Sequence, residues 1–191
     1  GALEVGANAL LVRAGAIYHD IGKLINPMYF IENQGDNLNP HNEIEFNRSA
    51  EIIIHHVFDG IEIAKESHLP DQLIDFIKTH HGTTTVQYFY KQYIANFPDE
   101  EVDVKDFTYP GPKPFSKETA ILMMADSAEA SARSLKNPTA ENIDNLIEMV
   151  INKQLKDDQF VNVDLTLKEI TQLKKLFKKK LVNIHHGRIE Y

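Results

Sequence analysis

The chain has 191 residues, enough for one large domain with its own hydrophobic core, and its 42% hydrophobic and 25% charged residues exclude a disordered chain. A formal net charge of -8 argues against a nucleic-acid polymer as partner, because phosphate backbones are bound by basic surfaces. The absence of cysteine excludes disulfides, cysteine-ligated zinc and a thiol nucleophile.

Apolar residues at helix spacing predict a chain that is helical over most of its length. The predicted helices cover about 8–23, 48–57 with a further stretch to 67, 70–81, 83–97, 116–135, 139–156 and 166–185. Asn26-Pro27 is expected to end the first helix, because proline disfavours a helical conformation in the residue before it. Asp59-Gly60 is expected to interrupt the second helix.

Two stretches, at about 26–47 and 97–115, lack this periodicity. The second contains the run YPGPKP at 109–114, which is too rich in proline for a helix or a central strand. Loops of this length in a compact domain are usually functional or mobile. Short extended pieces are expected at 160–165 and 188–191. The chain shows neither a repeat nor a domain boundary, so the expectation is one all-α domain over 1–191, a helical bundle with long loops.

The last predicted helix opens with TLKE at 166–169, a capping-box pattern. Its lysines at 174–180 are predicted to form the solvent-exposed face, because an apolar stripe follows the opposite side. His68, His185 and His186 belong to no recognisable motif and are expected at the surface.

The adjacent residues His19 and Asp20 are predicted to lie inside an otherwise apolar helix. Neighbouring helix positions point about 100° apart, so the pair presents an imidazole and a carboxylate to adjoining volumes. Taken alone, such a pair is more often an ordinary hydrogen-bonded pair than a functional one. Its interpretation therefore depends on the other histidines and carboxylates of the chain.

Three further features favour a metal site. His55-His56 lies in an apolar helical run, His80-His81 ends a helix before a glycine, and Asp126 lies among small and apolar residues. A buried carboxylate is costly unless a cation accompanies it. Imidazole and carboxylate ligands together suit manganese, iron, zinc or nickel better than calcium or magnesium.

Several cations are candidates for contacting a phosphorylated substrate. Lys23 lies one helical turn beyond the His-Asp pair, and Arg133 lies two turns beyond Asp126. Glu129 either pairs with Arg133 or orients a ligand, and Lys113 lies in the proline-rich run. The alternative for each is a solvated charge. For His41, in the first loop, the alternatives are an approach to the site and an anchor for its turn.

In combination these motifs resemble the HD-domain phosphohydrolases, and HDIGKL at 19–24 matches the motif that names the family. The sequence is most similar to the cytosolic HD domain of seven-transmembrane-HD (PgpH-type) receptors, which hydrolyse cyclic di-AMP. The matching stretches run from about residue 7 to the end of the chain. They are AGAIYHDIGKL, the NP…ENQ…NPH loop, HVFDG, LIDFIKTHHGT, YPGPKPFSKETAILMMADSAEA and LTLKEI.

The resemblance implies metal-binding roles for six residues: His19, Asp20, His56, His80, His81 and Asp126. Asp20 would bridge two divalent transition metals, iron or manganese, with zinc or nickel as alternatives. Three of the histidines (His56, His80 and His81) would complete one metal, and the other two residues would lie on the second. HVFDG aligns with His56, so His55 is not expected to be a ligand. The family has another histidine one long helix upstream, so the N-terminal helix is expected to be truncated.

The implied reaction is metal-dependent hydrolysis of a cyclic dinucleotide, cyclic di-AMP to pApA, without a side-chain nucleophile. Asp20 and Lys23 would be catalytic, and Lys23, Arg133, His41 and Lys113 would bind substrate. The expected setting is the cytoplasmic domain of an integral membrane protein with its membrane region upstream, and a homodimer stays open. One alternative is another HD nucleotide phosphohydrolase, although the GYP signature of cyclic di-GMP phosphodiesterases is missing. The other is a nucleotide-sensing module without turnover.

Overall fold

The computed structural model describes residues 1–34, 39–135 and 138–186, without the side chains of 185 and 186. Within these ranges the only sheet-like pairing is an isolated antiparallel bridge between Thr85 and Thr108. The α-helices are α1 (Ala9–Tyr18), α2 (Phe46–Glu66), α3 (Asp71–Thr79), α4 (Gln87–Asn96), α5 (Lys117–Arg133), α6 (Ala140–Lys156) and α7 (Leu167–His186). The all-α fold class is therefore confirmed.

The chain divides into two compact units, one of residues 1–15 and 113–191 and the other of residues 16–112. The single domain expected over 1–191 stays a prediction. In the described ranges, none of the helices is both long and apolar enough to cross a membrane.

The first unit contains α5, α6 and α7, and the sequence predicted these helices and their starts well. Ser116 and Thr119 form a reciprocal capping box at the start of α5. At α7, the backbone N–H of Thr166 donates to Glu169 Oε2 at 2.8 Å and the N–H of Glu169 donates to Thr166 Oγ1 at 3.2 Å. These caps satisfy helix N–H groups that have no partner within the helix. The segment at 160–165 is a turn, so the predicted strand there is wrong, and 188–191 lies outside the described residues.

The prediction that the α7 lysines form only a solvated face is wrong for two of them. Lys174 is only 9% exposed, and its Nζ lies 2.7 Å from Glu148 Oε2 and 2.6 Å from Asn152 Oδ1. Lys178 Nζ lies 2.7 Å from Glu148 Oε1 and 2.8 Å from Asp144. The long aliphatic stems let both ammonium groups reach α6 from the edge of the apolar stripe.

In the second unit α2 runs without interruption through Gly60, so the predicted break there is wrong. A Cβ on Gly60 would lie 2.9 Å from Ile77 Cγ2, and one on Gly22 would lie 1.9 Å from the carbonyl oxygen of His56. Both glycines permit a close approach of two backbones. Gly60 therefore marks a packing contact and not a helix end.

The predicted first helix also ends earlier than expected. α1 stops at Tyr18, His19 and Asp20 form a turn, and a 3-10 helix follows at Ile21–Leu24. The turn brings Gly22 against α2, which a straight continuation of α1 would not achieve. The His-Asp pair thus lies at a helix end and not inside a helix.

The two long loops contain short helical turns. The first has 3-10 helices at Pro27–Tyr29, Ile31–Asn33 and Pro40–Glu43. The second has one at Val104–Phe107. α4 begins at Gln87 and not near 83, because the residues before it pair with the second loop: the N–H of Val86 donates to Phe107 O at 2.7 Å.

Candidate metal centre

Four side chains of the second unit converge on one point. Asp20 comes from the turn after α1, His56 from the middle of α2, and His80 and His81 from the end of α3. One ligand atom of each lies within 4.8 Å of the corresponding atoms of the others. His56 and His80 are almost fully buried. The structure therefore brings together four of the six residues that the sequence proposes as metal ligands.

Three imidazoles are oriented in the same way, by a backbone carbonyl three residues earlier in the chain. The Nδ1–H groups donate from His19 to Ala16 O at 3.1 Å, from His56 to Ile53 O at 2.5 Å, and from His80 to Ile77 O at 2.8 Å. A carbonyl only accepts hydrogen bonds, so Nδ1 must carry the proton in each ring. Nε2 is then the atom available to a ligand.

These Nε2 atoms face one another and the carboxylate. The Nε2 atoms of His56 and His80 lie 3.1 Å apart, and they lie 3.4 and 3.5 Å from Asp20 Oδ1. That oxygen is buried and receives no hydrogen bond from the described residues. Lone pairs this close repel one another unless a cation or a proton lies between them. The residues present therefore fit a divalent metal bound through two imidazoles and a carboxylate.

The pKa shifts favour the same protonation states. Burial raises the pKa of the Asp20 carboxyl, but the imidazoles of His19, His56 and His80 lower it by more, so it lies well below its usual value. Burial lowers the pKa of His80, and it lowers that of His81 well below 6.5 with the help of neighbouring positive charge. An ionised carboxylate and neutral imidazoles are the forms that bind metals.

Lys23 lies beside the carboxylate, although it belongs to the 3-10 helix Ile21–Leu24 and not to the predicted α-helix. Its Nζ is 2.7 Å from Asp20 Oδ2 and 2.5 Å from Glu32 Oε1, and it lies 5.1 Å from the centre of the Phe30 ring. Burial lowers the pKa of the amine, but the two carboxylates raise it by more. Lys23 is therefore a fixed positive charge at the edge of the site.

His41 anchors the first loop. Its Nε2 donates to the carbonyl oxygen of Tyr29 at 2.8 Å, and its ring packs against Tyr29 and Phe89. The bond joins two turns of the first loop. Of the two alternatives for His41, this contact supports the anchor, and its role in binding substrate stays a prediction.

The neighbouring histidines of α2 differ sharply in environment. His56 is 1% exposed, whereas the His55 side chain is 59% exposed and its Nδ1 lies 3.0 Å from Asp59 Oδ1. His68 is also exposed, at a backbone φ of 53°. These positions agree with the assignment of His56, and not His55, to the site.

The remaining predicted residues belong to the first unit. Asp126 and Arg133 lie on α5, and Lys113 lies in the loop before it. Arg133 forms a two-pronged ion pair with Glu129, at 2.9 Å from Nε and 2.6 Å from Nη2. The metal role of Asp126 and the substrate roles of Arg133 and Lys113 stay predictions.

Sequence reasoning missed three residues next to these side chains. Glu32 shares the Lys23 amine, Phe30 packs edge-on against the His56 ring, and Tyr109 stacks on the His81 ring. All three come from the long loops. The only signal for them is that such loops tend to be functional, which does not single out a residue.

Comparison with known proteins identifies the family. A sequence model of the HD domain matches residues 2–131. The chain is 45% identical to the cyclic-di-AMP phosphodiesterase PgpH of Bacillus subtilis and 44% identical to that of Listeria monocytogenes, over 98% of this chain and 26% of either relative. It thus spans about a quarter of the length of these curated relatives.

The fold is similar to that of a solved structure. The crystal structure of the L. monocytogenes phosphodiesterase PgpH HD domain in complex with cyclic-di-AMP matches with a TM-score of 0.91 and 44% sequence identity. The match covers 100% of this chain and 87% of that chain. The convergent histidines and carboxylate, the helical fold and the matched sequence agree: the chain belongs to the HD domain family.

Proposed function

We propose that this chain is a metal-dependent phosphodiesterase that hydrolyses a cyclic dinucleotide, with cyclic di-AMP as substrate and pApA as product. The observation that carries the proposal is the convergence of Asp20 with His56, His80 and His81. The Nε2 lone pairs of His56 and His80 are already oriented by backbone hydrogen bonds and fit a divalent cation. The similarity to PgpH supports the choice of substrate.

We assign two divalent ions, iron or manganese with zinc or nickel as alternatives, to the six proposed ligands. One ion would be held by His56, His80 and His81, and the other by His19 and Asp126. Asp20 would bind both ions. Bound there, such ions supply an activated water at neutral pH and neutralise charge on phosphoryl oxygens. Three of the histidine rings need no reorientation for this task, because the backbone already fixes them.

Lys23 is proposed to position the substrate. Its amine is held between Asp20 and Glu32, so it presents a charge of fixed location to a phosphate oxygen. Arg133, Lys113 and His41 are proposed as further substrate contacts. We also propose that the chain is the cytoplasmic output domain of a membrane receptor, as part of a longer protein, and that a homodimer is compatible with this role.

The test is incubation of the metal-loaded protein with cyclic di-AMP and chromatographic detection of pApA. We compare Asp20→Ala with wild type and with His55→Ala, which removes an exposed histidine next to His56. We expect Asp20→Ala to lower the rate by more than about 10²–10³-fold, the effect of losing one preorganised electrostatic contact in an active site. His55→Ala should retain the wild-type rate.

Two other outcomes would contradict the proposal in different ways. Binding of cyclic di-AMP by the metal-loaded protein without product would identify a sensor module. Turnover of another nucleotide without binding of cyclic di-AMP would identify a different HD phosphohydrolase.

A further inference from the structure

The ring of His81 is oriented differently from those of the other three histidines near Asp20. His19, His56 and His80 each donate Nδ1–H to a backbone carbonyl. No hydrogen bond holds the His81 ring within the part of the chain that the structure describes. Its ring lies instead between two others, with centroids 4.0 Å from His80 and 4.2 Å from Tyr109.

The contact with Tyr109 is a stack, with only 23° between the ring planes. Tyr109 is 7% exposed, and its ring also stands nearly perpendicular to that of His56, at 87° and 6.2 Å. An imidazole that lies flat against a buried aromatic ring can slide but cannot easily rotate out of plane. The stack therefore restricts the same torsion that the carbonyl hydrogen bonds restrict in the other histidines.

The position of Tyr109 is itself fixed by the backbone that follows His81. The N–H of Tyr109 donates to Thr84 O at 2.9 Å, and Thr85 pairs with Thr108. Thr84 in turn donates to the carbonyl oxygen of His81, from its N–H at 3.1 Å and from its hydroxyl at 2.8 Å. One short pairing thus sets the distance between the phenol ring and the imidazole.

We propose that Tyr109 is a positioning residue for His81, and that its ring keeps an imidazole nitrogen directed at the shared site with Asp20. The inference rests on the proposed metal-binding function of that site. It assigns no contact between Tyr109 and the metal or the substrate. The effect is assigned to the aromatic face, because the ring stack is the contact that Tyr109 makes with His81.

Three variants separate this role from general packing. Tyr109→Phe keeps the stacked face, and Tyr109→Leu removes it. Phe107→Leu is the control, because it removes a fully buried aromatic ring two residues away that packs with Ala50 and Phe89. The measurement is the affinity of the metal-free protein for Mn²⁺ by calorimetry. We expect Tyr109→Leu to weaken binding by about 10–100-fold, as loss of partners that orient ligands does. Tyr109→Phe and Phe107→Leu should stay within about threefold of wild type on the same scale.

A second readout does not involve the metal. In the metal-free protein, the ring protons of His81 should show ring-current shifts in the NMR spectrum, assigned with a His81→Gln variant. These shifts should persist in Tyr109→Phe and become clearly smaller in Tyr109→Leu, where only the neighbouring imidazoles still contribute.

The outcomes distinguish this inference from the proposed function. Wild-type affinity in Tyr109→Leu, or an equal loss in Tyr109→Phe or in Phe107→Leu, would overturn the positioning role and leave the metal site intact. If wild type bound neither Mn²⁺ nor any of Fe²⁺, Zn²⁺ and Ni²⁺, the proposed function would fall and the inference with it.

Discussion

The two oxygens of Asp20 have different neighbours. Oδ2 lies 2.7 Å from the Lys23 amine and 3.2 Å from His19 Nε2, whereas Oδ1 faces His56 and His80 at 3.4 and 3.5 Å. One carboxylate therefore lies between the Lys23 ammonium group on one side and the Nε2 atoms of two buried imidazoles on the other. This division of oxygens suits the proposed role of Asp20, in which each oxygen would bind a different metal.

At the residue scale, Lys23→Met should separate substrate binding from metal binding. Methionine keeps much of the aliphatic stem but removes the charge that we propose for a phosphate oxygen. We expect kcat/KM for cyclic di-AMP to fall by about 10–100-fold, which corresponds to loss of a charged hydrogen bond of about 1.5–3 kcal/mol. Metal content should not change.

Lys78→Met is the matched control, because Lys78 is a lysine of the same unit that, among the described residues, forms an ion pair with Asp75 alone, at 3.6 Å. It should keep the wild-type kcat/KM. A loss of metal in Lys23→Met equal to its loss of activity would contradict the separate role of the lysine.

At the scale of the elements, the contact between α2 and the 3-10 turn at Ile21–Leu24 depends on two residues without side chains. In an exposed helix, Gly→Ala is stabilising by roughly 1 kcal/mol. At Gly60 we expect the opposite, because the new Cβ would lie 2.9 Å from Ile77 Cγ2 and 3.2 Å from the Gly22 nitrogen. Gly60→Ala should lower the free energy of unfolding by about 1–3 kcal/mol, measured by urea denaturation.

A compensating variant tests the cause of that loss. Ile77→Leu moves the branch of the side chain away from the backbone, so it should recover part of the stability in the double variant with Gly60→Ala. Strict additivity of the two changes would show that Ile77 is not the group that the new Cβ meets.

A second element-scale prediction concerns the pairing of α6 with α7. The hydrogen bonds from Lys174 and Lys178 lower the pKa of Glu148 from 4.5 to about 2. A lowered folded-state pKa gives stability that is present above about pH 4.5 and is lost as the pH falls toward 2. Since Glu148 is 42% exposed, solvent screening limits the contribution to about 1 kcal/mol.

Glu148→Gln should therefore be less stable than wild type at pH 7, and the difference should shrink between pH 4.5 and 2. Urea denaturation at pH 7, 4 and 2.5 measures it. Glu62→Gln is the control, since Glu62 is an exposed residue of α2 with no ion pair among the described residues. A difference for Glu148→Gln that does not change with pH would rule out the ion pairs as its source.

The helices of the first unit could be predicted because their signals are local. The Thr166 and Glu169 capping box and the proline-bounded α5 and α6 involve residues only a few positions apart. Gly60 shows where local reasoning fails. The same residue weakens an isolated helix and permits a tight contact between elements, and only the partner decides which effect matters.

The candidate site could be predicted where its residues form short motifs of neighbouring histidines and aspartate. His19-Asp20, His56 and His80-His81 were recognisable from their residue types and motifs. Tyr109 was not, because its contact with His81 depends on pairing between 84–86 and 107–109. A sequence does not show such pairing without a repeating pattern.

For the molecule as a whole, metal binding should raise the unfolding temperature. A ligand at 100 times its Kd stabilises the folded state by about 2.7 kcal/mol, and for a chain of this size each kcal/mol is about 2–4 °C. We expect a rise of roughly 5–10 °C in Mn²⁺ relative to EDTA, measured by calorimetry. Asp20→Ala should show almost none of it, and a full shift in that variant would contradict the assigned site.

The hydrogen bonds from His56 and His80 to the carbonyl oxygens of Ile53 and Ile77 have an entropic consequence. A free histidine side chain loses rotational freedom when it binds an ion, and that loss opposes binding. Here folding has already removed much of this freedom. The loss of side-chain entropy thus occurs largely when the protein folds, so binding a metal ion should cost little further conformational entropy.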